Sequence, residues 1–474
     1  MEDITMMSME QVAGMVRRQE ISPVDLVEAC LKRTELLQPK LNAYVYLMAD
    51  EARKKAQIAE DEIKQGKYKG MMHGIPVALK DLYYTKGVPT TASSEVLKDF
   101  IPDYNSTIVQ RLIDAGAIIM GKTNTHEFAF GPTTEDSCFG PTRNPWNPKK
   151  HPGGSSGGSG VAAATGMAYV AMGTDTGGSV RIPASMCGTV GFKPSYGLAS
   201  LYGIIALSFN LDHPGPICRS VTDVAITMDT ITGTDIRDTC PGAITGEPTC
   251  FYEGLKDEGD LTGKIIGVPT NFFFDKTDYK VEFVVREAIE KLKELGAEIR
   301  YIHIPALELV TDASTCIMFS EAAFLHKERY PLQKEKYQAG VAERLEQGNA
   351  YTAVQYIQAS RNREKIMSAW EETLKGIDAV VAPTCPITAF DIGLTPPWKI
   401  ETRGQTELGK PMCTYHTRLA NMTGGPALSL PVGLTDEKLP VGLMIMGRRN
   451  DDLGVLRIGY VYEKHNRYPM LEIN

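Results

Sequence analysis

Two apolar segments separated by a predicted helix constrain the fold of this chain more than any other feature. Residues 75–79, Ile-Pro-Val-Ala-Leu, form a short apolar run that ends at Lys80, and residues 116–121 form a second run. The residues between about Ser106 and Ala115 have the apolar spacing of a helix. This strand–helix–strand order predicts an α/β architecture with a mostly parallel sheet.

Helix and strand signals continue on both sides of this unit. Ser8 and Ser22 are candidate N-caps of two N-terminal helices, and a third, highly charged helix is predicted over residues 49–65. Apolar runs at 265–268, 379–382, 427–432 and 441–446 predict further strands, of which the last two form an antiparallel pair around a short polar turn.

The chain shows no internal repeat and no long linker. We therefore predict a single domain over residues 1–474, despite a length that allows two or three. Its predicted parts are N-terminal helices (1–70), a catalytic core (74–225), a mostly helical insertion (226–375) and C-terminal strands that complete the sheet (376–474).

A glycine- and serine-rich segment at residues 153–160 is followed by a second glycine turn at 176–179. Composition alone favours a flexible linker, but an alanine-rich helix follows the first turn directly. A phosphate cradle would need a G-K-[ST] ending or a G-x-G-x-x-G opening, and neither is present. Residues 153–157 match the nucleophile elbow G-x-S-x-G, yet the prolines and charges of 147–152 exclude the strand that this motif requires.

A fourth interpretation joins both turns to Lys80. A serine hydroxyl is a weak nucleophile unless a base accepts its proton. A buried lysine can be that base, because burial lowers its pKa until the amine is neutral. A second serine can relay the proton, and the N–H groups of a glycine turn can stabilise an oxyanion. Residues 176–179, Thr-Gly-Gly-Ser, have the form of such a turn.

Several sequence blocks resemble the amidase signature family. They are Gly-Gly-Ser-Ser-Gly-Gly-Ser at 153–159, Asp-Thr-Gly-Gly-Ser-Val-Arg at 175–181, and the strand-ending Lys80. Blocks at 188–197, 212–216, 421–427 and 440–443 are similar to the family's continuation. The resemblance implies one large α/β/α domain, in which helices cover a mixed, mostly parallel central sheet and the helical insertion lies on the substrate side.

The resemblance also implies an amidohydrolase that cleaves a carboxamide or related C–N bond, and it leaves open whether esters or carbamates are substrates as well. Ser179 would be the nucleophile of an acyl-enzyme mechanism. Ser155, after a cis peptide bond, would relay the proton, and Lys80 would be the base. The oxyanion hole would consist of the N–H groups of Thr176, Gly177, Gly178 and Ser179.

Neighbouring residues are assigned supporting roles. We interpret Asp175 and Arg181 as an ion pair that holds the 176–179 turn, and Ser156 as a turn or N-cap residue. By similarity, residues 127–131 should line the substrate pocket, which places Phe128, Ala129, Phe130 and Gly131 there. The two phenylalanines favour an apolar acyl or aryl group, although both are equally consistent with core positions. Further candidates for substrate contact are Trp398, Tyr415 and His416.

Two alternatives stay open. The family also includes the glutamine-hydrolysing subunit of tRNA-dependent amidotransferases, which is similar in length and signature. Where that subunit binds the substrate carboxylate, this chain has residues 342–344 and 415–416, and only Arg344 corresponds. The other alternative is a catalytically inactive member that acts as a binding protein, against which the intact Lys80, Ser155 and Ser179 argue.

Charge and cysteine content limit the kinds of binding partner and the cellular location that the sequence predicts. The net charge is −8 and no basic run occurs, which argues against an anionic membrane surface as a partner and, unless the amidotransferase alternative holds, against nucleic acid. We predict a small amide substrate, and a homodimer is compatible with the sequence. The nine scattered cysteines, without a CxxC pair, and the absence of a signal-peptide pattern predict a cytoplasmic protein. No motif indicates a metal or a cofactor.

Overall fold

Helices and strands alternate along the first half of the chain, as the sequence predicts. The computed structural model describes residues 3–238, 249–256, 259–393, 399–466, 468, 469 and 471. The elements up to residue 231 are α1 (Met9–Arg17), α2 (Pro23–Leu41), β1 (Tyr44–Leu47), α3 (Ala49–Lys64), β2 (Pro76–Lys80), α4 (Thr107–Asp114), β3 (Ile118–Thr123), α5 (Gly157–Ala164), β4 (Val170–Asp175), α6 (Arg181–Cys187), β5 (Val190–Lys193), β6 (His213–Cys218) and α7 (Val221–Ile231).

The second half of the chain has a helical region between two groups of strands, and it ends in a helix. Its elements are α8 (Phe251–Leu255), β7 (Ile265–Pro269), α9 (Tyr279–Glu294), β8 (Glu298–Ile302), α10 (Val310–His326), α11 (Tyr330–Gln333), α12 (Ala339–Ala350), α13 (Ala353–Thr373), β9 (Ala379–Pro383), β10 (Lys399–Thr402), β11 (Gln405–Leu408), α14 (Gly409–Thr414), α15 (Arg418–Thr423), β12 (Ala427–Leu434), β13 (Pro440–Met446) and α16 (Asp452–His465). The helices and strands predicted from the sequence are confirmed, with ends shifted by at most two residues.

The N-cap predictions are also confirmed. Ser8 and Ser22 both begin their helices with a capping box. The Ser8 Oγ accepts from the Gln11 N–H at 3.2 Å, and the Ser22 Oγ accepts from the Val24 N–H at 3.0 Å. These bonds satisfy N–H groups that the first turn of a helix leaves without a backbone partner.

Eleven strands form one mixed sheet in the order β1-β3-β2-β4-β6-β5-β12-β13-β9-β7-β8. Parallel pairing joins β3, β2 and β4 near one edge and β9, β7 and β8 at the other. The strands between them pair antiparallel, as β1 does with β3. The predicted α/β fold with a mixed sheet is confirmed, although parallel pairing is confined to these two groups and joins four of the ten neighbouring strand pairs.

Side chains on the two faces of the sheet enter two separate hydrophobic clusters. In β13, Val441, Leu443 and Ile445 belong to one cluster, and Met444 and Met446 belong to the other. This alternation follows from the two-residue period of a strand. Helices α1, α2, α3, α7, α9 and α16 contribute to the first cluster, and α10, α12 and α13 contribute to the second. The sheet is thus covered on both faces, as the α/β/α prediction requires.

Among the described residues, no helix is long and apolar enough to cross a membrane. Eight cysteines fall within the described ranges, and all of them are free thiols.

Candidate active site

Lys80 is the last residue of β2, and its side chain is completely buried. Its Nζ atom lies 2.7 Å from the Ser155 Oγ and 2.8 Å from the Thr174 Oγ1. None of the ion pairs formed by the described residues includes Lys80. Burial therefore lowers the pKa of this amine to about 7, although Asp212 and Asp175 oppose the shift.

Ser155 is held by its main chain immediately before α5. The peptide bond between Gly154 and Ser155 is cis. The Ser155 carbonyl accepts hydrogen bonds from the His126 N–H at 3.0 Å, the Thr125 Oγ1 at 2.8 Å and the Thr134 Oγ1 at 3.1 Å. These three donors fix the backbone of Ser155, so that its hydroxyl points at Lys80.

Ser156 occupies the N-cap position of α5, as the sequence predicts, but its hydroxyl does not cap the helix. Its Oγ donates to the Thr174 carbonyl at 3.2 Å and accepts from the Thr174 N–H at 3.3 Å. The N-cap interpretation is therefore wrong for the side chain. The reason is that β4 lies alongside this turn and offers both a donor and an acceptor.

The turn that carries Ser179 follows β4, and the Asp175 carboxylate holds it. Asp175 accepts from the N–H groups of Gly178 and Val180 at 2.8 and 3.2 Å. The Arg181 guanidinium donates to both Asp175 oxygens, at 3.0 and 2.8 Å, and both side chains are fully buried. The predicted ion pair is confirmed. Burial alone would raise the pKa of the Asp175 carboxyl, but Arg181 and Asn421 hold it well below its usual range.

The Gly178 amide, predicted to belong to the oxyanion hole, is occupied by the Asp175 carboxylate in this structure. The N–H groups of Thr176, Gly177 and Ser179 take part in none of the described hydrogen bonds. Gly178 has a φ of +131°, and a Cβ placed on it would lie 2.2 Å from the Thr417 Oγ1. Only glycine fits this position, because a side chain there would be both strained and obstructed.

A cavity of about 220 Å³ opens beside Ser179. Ala129, Phe130 and Gly131 line it, together with Thr176 and Gly177. The described hydrogen bonds do not join the hydroxyls of Ser155 and Ser179; between the two segments, the Ser156 N–H donates to the Ser179 carbonyl at 3.3 Å.

Phe128 does not line this cavity, so its assignment to the substrate pocket is wrong. Its ring is 1% exposed and packs against His326 and Tyr337, with ring centroids 4.4 and 5.5 Å apart. Phe128 has a φ of +50°, an uncommon backbone conformation that separates its direction from that of Phe130.

Comparison with known proteins identifies the family of the chain. The family model described as Amidase matches residues 25–456. The chain belongs to this family. It is 41% identical to an amidase of Pseudomonas putida over 99% of both chains. It is also 36% identical to a glutamyl-tRNA(Gln) amidotransferase subunit of Thermoanaerobacter pseudethanolicus, over 98% of this chain and 97% of the other.

Solved structures extend the comparison. A crystal structure of an amidase superposes with a TM-score of 0.87 at 33% identity, covering 97% of this chain and all of the other. These similarities establish an amide-hydrolysing enzyme of the amidase signature family.

Two polar residues of this amidase contact the predicted site although the sequence did not assign them a role. The Thr174 hydroxyl is the second acceptor for Lys80. The buried Asp212 accepts from the Thr176 Oγ1 at 2.6 Å and from the N–H groups of Leu207 and Ser208. Burial raises the pKa of Asp212 to about 6, and these donors oppose the rise. The available signal was their position in the sequence, since Asp212 begins the block at 212–216 and Thr174 directly precedes the block at 175–181.

The remaining substrate-contact candidates are not among the residues that line the cavity or lie outside the described residues. The Tyr415 ring stacks on Phe272 at 4.3 Å between centroids, and the buried His416 contacts the Pro383 carbonyl through its Nδ1 at 2.9 Å. Trp398 lies outside the described residues. Within the described part of the chain, no cluster of three or more His, Cys, Asp or Glu side chains has a metal-binding arrangement.

Proposed function

We propose that this amidase cleaves a carboxamide or related C–N bond through an acyl-enzyme on Ser179, with Ser155 as proton relay and Lys80 as base. The observation that carries the proposal is the 2.7 Å contact between the Lys80 Nζ and the Ser155 Oγ, at a lysine whose pKa burial lowers to about 7. A lysine that is neutral near pH 7 can accept a proton, which an ordinary surface lysine cannot.

The proposed acylation begins when the Ser179 Oγ turns towards Ser155 and attacks the carbonyl carbon of the substrate. As the new C–O bond forms, Ser179 passes its proton to Ser155, and Ser155 passes its own proton to Lys80. When the C–N bond breaks, the proton returns from Lys80 through Ser155 to the leaving nitrogen. Water then attacks the acyl-enzyme by the same route and releases the acid.

The N–H groups of Thr176, Gly177 and Ser179 are proposed to hold the negative charge on the carbonyl oxygen. All three residues line the cavity in which the substrate would lie. A donor of this kind contributes roughly 3–4 kcal/mol to lowering the barrier. The Gly178 amide instead holds the turn through Asp175, so that the other amides keep their direction.

Labelling with a fluorophosphonate tests the proposal. We expect one adduct per chain, on Ser179, found by peptide mass spectrometry and lost in Ser179→Ala. Ser360→Ala is a matched control, because among the described residues the Ser360 hydroxyl makes one hydrogen bond, to the Tyr356 carbonyl within its own helix. Labelling at another serine, or unchanged amide hydrolysis by Ser179→Ala, would overturn the assignment of the nucleophile.

Similarity to amidotransferase subunits supports a second candidate function, that of a glutamine-hydrolysing subunit. Arg344, the residue that corresponds to their carboxylate partner, does line the cavity. If the chain is such a subunit, it should hydrolyse glutamine and co-purify with another protein of the same complex. Ammonia release from glutamine, compared with ammonia release from simple primary amides, distinguishes the amidotransferase subunit from the amidase. We further propose a cytoplasmic location, which eight free thiols support.

A further inference from the structure

We propose that Thr417 is a positioning residue of this amidase, which holds the peptide between Gly177 and Gly178 so that the neighbouring N–H groups face the carbonyl oxygen of the substrate. The inference rests on the proposed function and adds to it a residue 240 positions from Gly177 in the chain. Thr417 directly precedes α15 and is fully buried. It is not among the residues that line the cavity, so it acts through the turn and not on the substrate.

The peptide between Gly177 and Gly178 is bound at both of its polar ends. Its N–H, on Gly178, donates to the Asp175 Oδ1 at 2.8 Å. Its carbonyl, on Gly177, accepts from the Thr417 Oγ1 at 2.5 Å, and this hydroxyl is the one donor to the carbonyl among the described hydrogen bonds. The N–H and C=O of a planar trans peptide point in opposite directions, so the two bonds hold the plane from opposite sides.

This peptide lies between the two peptides that carry proposed oxyanion donors. The Gly177 N–H belongs to the peptide before it, and the Ser179 N–H belongs to the peptide after it. A tilt of the middle plane changes backbone dihedral angles on both sides, and therefore the directions of both N–H groups. Two consecutive glycines allow such a tilt more readily than other residues do, and Gly178 already has a φ of +131°. The turn therefore depends on bonds from outside to keep its shape.

The main chain of Thr417 is fixed to the same ion pair that holds the turn. The Arg181 Nη1 donates to the Thr417 carbonyl at 2.8 Å, while the Nε and Nη2 of Arg181 bind Asp175. The side chain packs directly on the turn, since a Cβ on Gly178 would lie 2.2 Å from the Thr417 Oγ1. The other acceptor near this hydroxyl, the Thr414 carbonyl, is farther away at 3.3 Å. Thr417 is thus a fixed support whose hydroxyl is directed at Gly177.

Misdirected amides should slow the chemical step more than they weaken substrate binding. The carbonyl oxygen gains its negative charge only as Ser179 attacks, so the amides interact more strongly with the transition state than with the substrate. Removing one oxyanion donor outright lowers kcat by about 10²–10³-fold. Turning two donors from their best direction, without removing them, should lower it by roughly 10–100-fold.

Fluorophosphonate labelling measures this step without knowledge of the natural amide. Attack of Ser179 on phosphorus also places negative charge on an oxygen beside the turn, so the rate constant kinact reports on the oxyanion amides and KI reports on binding. Thr417→Val keeps the shape of the side chain but removes the donor. We expect its kinact to fall roughly 10–100-fold, with KI changed by less than about threefold. Thr417→Ser restores the hydroxyl and should recover most of kinact.

Thr227→Val is the matched control. Thr227 is also a fully buried threonine, and its hydroxyl donates to the Asp223 carbonyl at 2.7 Å within α7. This variant should retain the wild-type kinact. A partial loss of folded protein lowers the amount of labelled protein but not the rate constant, so instability alone does not produce the expected result. Thr417→Ala, which also removes the hydroxyl, takes the place of Thr417→Val if that variant cannot be purified.

Failure of this inference is distinguishable from failure of the proposed mechanism. If Ser179 is labelled and Thr417→Val keeps the wild-type kinact, the positioning role is wrong while the nucleophile stands. Equal losses in Thr417→Val and Thr417→Ser would also overturn the role, because packing and not the hydroxyl would then hold the turn. A change confined to KI would do the same. If the wild type is not labelled at Ser179, the proposed function fails and this inference fails with it.

Discussion

The Nζ atom of Lys80 lies 2.7 Å from the Ser155 Oγ, although 75 positions separate the two residues in the chain. Lys80 ends β2, and Ser155 precedes α5, which packs near the adjacent strand β4. The second contact of Lys80, to Thr174 on β4, fixes its amine between neighbouring strands. Its protonation is consequently governed by burial and by the more distant charges of Asp212 and Asp175.

The first prediction concerns the pH dependence of acylation. Lys80 acts as a base only when neutral, so the rate should rise with pH through about 7 and then reach a plateau. At pH 5 the rate should be about 100-fold below the plateau, since the neutral fraction falls tenfold per pH unit. Single-turnover acylation measured from pH 5 to 9 checks this. A flat profile, with chemistry shown to be rate-limiting, would contradict the role of Lys80.

Thr174 should position Lys80 without contacting the substrate. Thr174→Val keeps the shape but removes an acceptor that favours the charged amine, so the pH at half-maximal rate should fall. We also expect kcat to fall roughly 10–100-fold, because general-base catalysis depends on the geometry of the proton path. Thr174→Ser restores the hydroxyl and should recover most of the rate. A purely structural role for Thr174 would leave the pH profile unmoved.

The charge of Asp212 should also affect the pKa of Lys80. Its carboxylate raises the pKa of Lys80, and its own pKa of about 6 leaves it ionised at neutral pH. Asp212→Asn should therefore move the acidic limb of the rate profile to lower pH, by a few tenths to about one unit. Asp229→Asn, which changes a carboxylate that binds the N–H groups of Phe251 and Tyr252, is the control and should leave the limb in place.

Local sequence signals predicted much of this molecule. The caps at Ser8 and Ser22 and the strand ending at Lys80 depend on near neighbours in the chain, and the structure confirms them. The blocks at 153–159 and 175–181 identified the family for the same reason, because each forms one compact turn. The ion pair of Asp175 and Arg181 is likewise local, since one turn separates the two residues.

Features that depend on distant parts of the chain were harder to predict from the sequence. The direction of Phe128 is set by its positive φ and by His326 and Tyr337, which lie some 200 positions away. The hydroxyl of Ser156 bonds to the main chain of Thr174 on the neighbouring strand β4 instead of capping its own helix. Antiparallel pairing at the centre of the sheet depends on strand order, which a single sequence does not reveal.

Two adjacent glycines of the nucleophile turn should respond differently to the same substitution. Gly178→Ala places a Cβ at a φ of +131° and 2.2 Å from the Thr417 Oγ1, so the free energy of unfolding should fall by about 1–3 kcal/mol. In Gly177→Ala the new Cβ meets the end of the flexible Met318 side chain at 3.2 Å, and the loss should be below about 1 kcal/mol. Urea denaturation of both variants measures the difference. Equal losses would mean that the turn relaxes freely around residue 178.

The buried ion pair behind the turn should matter more for stability than an exposed pair of the same kind. Arg181→Met leaves the Asp175 carboxylate buried without its cation, which should cost about 3–5 kcal/mol in the free energy of unfolding. Arg361→Met breaks a pair with Glu364 in which both side chains are more than half exposed. That variant should lose less than about 1 kcal/mol.

Denaturation and fluorophosphonate labelling should change together in Arg181→Met. Asp175 orients the Gly178 and Val180 N–H groups, so a displaced carboxylate would also displace Ser179 and slow its labelling. The measurement is made at a urea concentration where the variant is still folded, so that unfolding does not account for the slower rate. If stability falls but the labelling rate per folded molecule stays that of the wild type, the hydrogen bonds from the turn, not the cation, hold Asp175 in place.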